Sequence, residues 1–266
     1  MTIQDQAPSV RPIQPGTSGW PTQLNDLGMD APRELWCSDA GDLRLLALRS
    51  VAIVGCRAAS AYGRAMATEL AAGLASAGWV VVSGAAFGID AAAHRGALSV
   101  DGPTIAVLPG GIDQATPRAH TELLETIRRN GLLVSEHGFG VAPHRHMFLT
   151  RNRIIAALVR AVVVVEADYR SGALNTARIG ERLGRNVLAV PGPATSRQSN
   201  GTHELLRTRR AELVTSSAEV AQFLSPIGEN LAVRDDALSF PLSGSRVSNP
   251  SAGTELTLSG PTKPPD

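Results

Sequence analysis

Lysine is almost missing from this chain. Of 25 basic residues, 24 are arginine and one is Lys263. Nearly every cation is therefore a planar fork that suits phosphate or the face of a ring, although a GC-rich genome produces the same bias together with many alanines. Cysteine is scarce too. Cys37 and Cys56 exclude a disulfide framework and a thiolate zinc site, and a reducing cytoplasm is the expected compartment. No apolar run approaches the roughly 18 residues of a membrane span. The opening MTIQDQAPSVRPIQPG has no apolar core, so it is not a secretory signal. An excess of either charge is also lacking. The 25 Lys and Arg face 24 Asp and Glu, which excludes a globally basic nucleic-acid coat but leaves room for a local patch.

What is present is a chain of 266 residues, 43% hydrophobic but only 4% aromatic, long enough to bury a sizeable core. Residues 1–18 lack periodicity and read as a flexible lead. From 226 to 266 Ser, Pro and Gly dominate, and that tail is expected to be disordered. Between the ends, short β-branched runs alternate with Ala/Leu-rich helical stretches. The strand candidates are 51–55, 79–84, 104–110, 132–136, 161–166 and 186–190, with a weaker one at 211–214. Helices are expected over 61–77, 88–98, 117–130, 149–160, 173–184 and 201–210. The strands are apolar throughout rather than alternating, so both faces are covered. This predicts a doubly wound α/β domain over 49–225, with a mostly parallel sheet and helices on both faces. Ligands of such folds sit at the carboxyl ends of the strands.

Four of the expected strand ends run into Gly-rich or Ser-Gly turns: Gly55-Cys56-Arg57, Ser83-Gly84 through Gly88, Pro109-Gly110-Gly111, and Ser171-Gly172 after Glu166. Glycine permits close backbone approach, and helix N-termini offer free N–H groups to an anion. The turns are neither the G-x-G-x-x-G dinucleotide fingerprint nor a Walker A loop. Arg57 is placed to hold a phosphate by charge. Residues 141–210 carry a net charge of +8, against −7 for the rest. At their centre, HRHMFLTRNR (144–153) mixes cations with Phe148 before a helix. Such a mixture suits a nucleic-acid backbone and a stacked base. It equally suits Arg151 and Arg153 paired with neighbouring acids over a core Phe148. His144 and His146 lack a third ligand, so no metal is expected. Ser83, Asp90 and His94 have no nucleophile elbow, and an Asp90–His94 contact along one helix is the simpler reading. Glu166 ends a buried strand, where an arginine partner is expected.

These motifs resemble the DNA-processing protein A family (DprA/Smf). The matching pieces are VAIVGCRAASAYG, VVVSGAAFGIDAAAHRGAL, TIAVLPGGID, LLVSE, FLTRNRIIAAL, VVVVEADYRSGALNTARIGERLGRNVLAVPG and NGTHELLR, covering roughly 51–207. The resemblance implies an extended Rossmann-like fold that binds single-stranded DNA without catalysis or cofactor. It also implies a cytoplasmic homodimer that hands strands to the recombinase RecA in natural transformation. By position, Gly55, Arg57, Ser83, Gly84 and Gly88 would line a phosphate pocket. Arg145, Phe148, Arg151, Asn152 and Arg153 would follow the strand, and Glu166, Ser171, Gly172 and Thr176 would close the pocket. Residues 19–48 resemble the segment that joins a helical domain to the Rossmann domain, so a core-only member is expected. Departures from the family pattern include Cys56 for Ser, Phe87 for Arg, His137-Gly138 for a Pro-containing turn, Thr116 for Tyr and His203 for Asn.

Two other readings compete. Related Rossmann phosphoribohydrolases carry Pro-Gly-Gly after a strand, but here Ile112-Asp113-Gln114 replaces their catalytic continuation. The chain also reads as an interaction module that has lost DNA binding.

Overall fold

A computed structural model describes residues 10–38 and 41–224. The expected disordered tail, 226–266, lies outside the described residues. The elements are, in order, β1 (Val10–Ile13), β2 (Leu35–Ser38), α1 (Leu43–Leu48), β3 (Ser50–Val54) and α2 (Ala61–Ser76). Then come β4 (Val80–Ser83), α3 (Ile89–Leu98), β5 (Thr104–Gly111), α4 (Thr121–Asn130), β6 (Leu132–His137) and α5 (Met147–Leu158). The last are β7 (Ala161–Val164), α6 (Gly172–Arg182), β8 (Asn186–Ala189), α7 (Asn200–Arg207), β9 (Glu212–Leu213) and α8 (Ser217–Leu224).

The strands form one sheet in the order β1-β2-β6-β5-β4-β3-β7-β8-β9. From β6 to β9 every pairing is parallel. Strands β3, β4 and β7 are buried at every position, as expected for strands covered on both faces. The chain therefore adopts the expected α/β architecture. It runs outward from β3 to β6 on one side, then returns to lay β7, β8 and β9 on the other. The carboxyl end between β3 and β7 is thus the topological switch point.

The N-terminal expectations need correction. Residues 10–13 belong to a strand, not a flexible lead: β1 pairs antiparallel with β2, which pairs antiparallel with β6. Pro12 is tolerated because β1 is an edge strand with only one paired side. Nor is 19–48 a mere linker. Trp20, Leu24, Leu35, Cys37, Leu43 and Ala47 are buried in the same cluster as Val107, Val134 and Ile154. The apolar side chains of this segment cover one face of the sheet, and their burial offsets the entropy of ordering it. Burial also pushes the Cys37 thiol up to about 12, so it stays a neutral thiol.

The core is built almost entirely from Ala, Val, Ile and Leu. Trp20 and Trp79 are the fully buried aromatics among the described residues, and no Phe or Tyr joins them. No helix among the described residues is long and apolar enough to cross a membrane.

Candidate functional site

A cavity of about 870 Å³ opens at the switch point. Its walls come from Val54–Ala58 after β3, Ala86 and Asp90 around the β4–α3 turn, Asp168 and Arg170–Ala173 after β7, Arg145 and the first turns of α5, and Arg197 and Gln198 in the loop after β8.

The turn after β3 is held from beneath by Glu166. This carboxylate is 1% exposed. It accepts the Ser60 N–H at 2.9 Å and the Ser60 hydroxyl. Ser60 in turn caps α2 by accepting the Gly63 N–H at 3.0 Å. Glu166 is therefore satisfied by a helix cap, not by the expected arginine, and it does not line the cavity. A Cβ on Gly63 would lie 2.2 Å from the Glu166 Oε2, so this packing requires glycine.

The β4–α3 turn is fixed by buried charge. The Asp90 carboxylate accepts the N–H groups of Gly84 (3.2 Å) and Ala86 (3.3 Å). Arg151 reaches in from α5 and donates to the Gly84 carbonyl at 2.9 Å and to the Val107 carbonyl. Burial raises the Asp90 pKa, and the nearby Arg151 guanidinium lowers it again in part. Burial pulls the Arg151 guanidinium down to about 10, with Asp90 acting against that shift. Two buried opposite charges thus attract one another while each is anchored by its own hydrogen bonds to the backbone. Gly84 must be glycine because a Cβ would lie 2.2 Å from the Arg151 guanidinium. Gly88, at φ +80°, would drive a Cβ to 2.2 Å from the Cys56 carbonyl.

The rim is different in kind. Arg57, Arg145 and Arg170 are exposed and line the cavity. None has an acidic partner among the described residues. The Arg57 guanidinium lies over the Phe148 ring, 4.8 Å from its centroid, a cation–π contact. Phe148 is half-buried rather than a core residue. Arg197 also lines the rim, but its guanidinium bonds Asp168 at 2.7 Å. That pairing lowers the Asp168 pKa. Opposite, Ser171 caps α6 by accepting the Ala173 N–H at 3.2 Å. Asn152 donates to the Gly172 carbonyl at 3.2 Å.

The structure brings Gly55, Arg57, Arg145, Phe148, Arg151, Asn152, Ser171, Gly172 and Thr176 together in the cavity wall. It leaves Ser83, Gly84, Gly88, Arg153 and Glu166 outside that lining. Ser83 is wholly buried and donates to the Ile53 carbonyl. Arg153 turns away from the cavity. It bonds Glu136 at 2.6 Å and the Asp30 carbonyl at 2.7 Å, so its charge is committed to joining α5 to β6 and the N-terminal segment. Arg151 lines the floor, yet it is 6% exposed and bonded to the Gly84 and Val107 carbonyls. Asp90 and His94 make separate contacts: His94 Nδ1 lies 2.8 Å from Thr104 Oγ1. His144 and His146 stack at 6.0 Å, and no trio of metal-ligating side chains clusters among the described residues.

Sequence reasoning missed Arg170, Arg197, Asp168 and Gln198 in the wall. Arg170 stands immediately before Ser171-Gly172, so its place in a switch-point turn was the available signal. Arg197 and Gln198 come from the loop after β8. That loop is drawn in by the Ala167 N–H bonding the Gln198 carbonyl at 2.7 Å, a contact with no local sequence signature.

This fold and cavity define a Rossmann-like α/β protein whose switch-point crevice is rimmed by arginine and floored by a buried charge pair. The chain belongs to the family described as DNA recombination-mediator protein A, which it matches over residues 11–225. It is 53% identical over 199 residues to a DprA of Mycobacterium tuberculosis H37Rv, covering 75% of this chain and 51% of that protein. It is 42% identical over 201 residues to the DNA processing protein DprA of Streptococcus pneumoniae R6, covering 76% and 70%. The chain thus spans about half the length of its mycobacterial relative. The X-ray structure of the S. pneumoniae protein superposes with a TM-score of 0.75 at 39% identity, over 80% of this chain and 74% of that one. The DprA structure from Helicobacter pylori, described for its single-stranded DNA binding mode, gives 0.72 at 30% identity, over 81% and 95%.

Proposed function

We propose that this chain binds single-stranded DNA in the switch-point cavity, without catalysis, and serves DNA processing in recombination and uptake. The observation that carries this reading is the Arg57–Phe148 pair at the cavity mouth. A cation and a ring face at one point can take a phosphate and its base together, and base stacking on aromatics is tolerant of sequence. Arg145 and Arg170 add exposed cations to the rim. The strand-binding mode described for the H. pylori relative supports the same ligand. In this reading the protein is a cytoplasmic homodimer that protects single strands and helps load RecA.

The phosphoribohydrolase alternative draws less support from the geometry: Pro109, Gly110 and Gly111 do not line the cavity, and the two glycines pack against Val141, Pro143 and Gly138.

The test is fluorescence anisotropy with labelled oligothymidylate and a matched duplex. The single strand is expected to bind tighter. Arg57→Ala should weaken it by about 1–3 kcal/mol through loss of a charge-assisted contact. Phe148→Ala should cost about 1–3 kcal/mol through lost stacking. Folded variants that bind like the parent would overturn the assignment of this cavity.

A further inference from the structure

Five of the six described Phe and Tyr residues stand on carboxyl-edge connections of the sheet: Tyr62, Phe87, Phe139, Phe148 and Tyr169. None of the six is in the core. Trp20 and Trp79 are buried, whereas these Phe and Tyr rings stand where they gain little from burial. Phe148 belongs to the cavity described above. Phe87 does not: its neighbour Ala86 lines the cavity, while the Phe87 side chain points out, 48% exposed.

The backbone carrying Phe87 is tightly determined. Ala85 sits at φ +54°, a left-handed conformation that costs a non-glycine residue free energy and persists only where surroundings enforce it. They do so here. Asp90 accepts the N–H groups on either side of Ala85. His120 bonds the Ala85 carbonyl through Nδ1 at 2.9 Å, and Arg151 bonds the Gly84 carbonyl. His120 also supports the ring itself, with centroids 4.7 Å apart at 66°. His120 is 5% exposed and cannot swing away. One edge of Phe87 is thus braced from below, and the ring remains open to solvent. Arg118 lies exposed at the start of the same short turn that ends in His120.

We propose that Phe87, braced by His120, is a second base-stacking station on the rim of the cavity, taking a further base of a strand whose first contact is at Arg57 and Phe148. The inference rests on the single-strand reading above. It adds that the strand runs from the cavity across the end of β4 toward β5, and that more than one nucleotide is read by ring faces. Because stacking has no base preference of its own, the station adds affinity through length.

The experiment measures binding of oligothymidylates from about 4 to about 16 nucleotides to the parent, Phe87→Ala and Phe148→Ala, with folding checked by circular dichroism. Phe148→Ala is expected to weaken every length. Phe87→Ala is expected to weaken the long oligomers about tenfold and the shortest ones little. Phe87→Trp gives a direct readout: its added fluorescence should be quenched by the long oligomer. Phe87→Arg replaces stacking with a phosphate contact, so it should keep affinity but steepen the salt dependence. Loss only in Phe148→Ala, with no quenching of Phe87→Trp, would overturn the station and leave the cavity reading standing. Equal loss at all lengths in Phe87→Ala would make Phe87 part of the cavity and overturn a separate station. No binding by the parent would overturn both.

Discussion

His94 illustrates what a single buried residue does to this protein. Its Nδ1 meets Thr104 Oγ1, whose own proton goes to the Val81 carbonyl. Nδ1 must therefore donate, and Nε2 is left without a partner among the described residues. Charging the ring would put its second proton on Nε2, where no acceptor stands among the described residues. Burial, and then the positive charge of Arg151, hold its pKa down from 6.5 to about 3. A lowered folded-state pKa means the neutral form is the one the fold accepts. That contribution is fully present above the unfolded value and is lost as pH falls toward about 3. From about pH 7 to about pH 5 the loss is about 2 kcal/mol. Asp90, with its pKa raised by burial, acts in the opposite direction over acid pH, so the parent alone does not isolate the histidine. Urea unfolding of the parent and of His94→Asn at both pH values does, since the difference between their pH dependences belongs to His94. Equal dependences would refute this account. Partner choice at this scale was not readable in advance. Arg151 and Arg153 stand two apart in one motif, yet one enters the floor and the other pairs with Glu136. The half-turn between them on α5 decides this, and only the assembled sheet says what each side faces.

At the scale of elements, six of the seven parallel strands were legible as short apolar runs, and the seventh, β9, was the weaker candidate because it is a short exposed strand at the edge of the sheet. The helices between them fell within a few residues of their expected bounds, apart from α4, whose expected first turn is a short 3-10 segment. What escaped notice was β1, β2, α1 and α8. VRPI and LWCS are four residues each, one interrupted by proline. Their pairing is antiparallel and edge-on, so no long apolar signature is needed. Their importance comes from what they cover. Trp20, 2% exposed, packs in the cluster that spans β5, β6 and α5, and its indole N–H bonds Asn25 at 3.1 Å. Trp20→Ala should therefore behave as a core truncation and cost about 3–5 kcal/mol. Guanidinium unfolding monitored by far-ultraviolet circular dichroism measures it. A loss under about 0.5 kcal/mol, the range of surface substitutions, would mean that the N-terminal segment is an attachment and not part of the core.

Across the whole molecule the two halves of the charge distribution divide into spent and free arginines. The +8 excess of residues 141–210 overstates the number of cations available at the cavity. Arg153, Arg185, Arg197, Arg207 and Arg210 are all paired with acids, and Arg151 is locked in the floor. At the rim, Arg57, Arg145 and Arg170 are the exposed arginines with no acidic partner among the described residues. Because binding a single strand releases counterions, log K falls by about 0.7 per phosphate neutralised for each tenfold rise in salt. Three free arginines then predict a slope of about −2 in a plot of log K against log salt. Arg57→Ala should reduce its magnitude by about 0.7. Arg153→Ala should leave it unchanged while lowering the unfolding midpoint, because that charge ties α5 to Glu136 and Asp30. Anisotropy titrations over a range of sodium chloride concentrations decide the matter. A slope near −5 would mean that paired arginines are released to the strand, and that the acids now holding them are gates rather than braces.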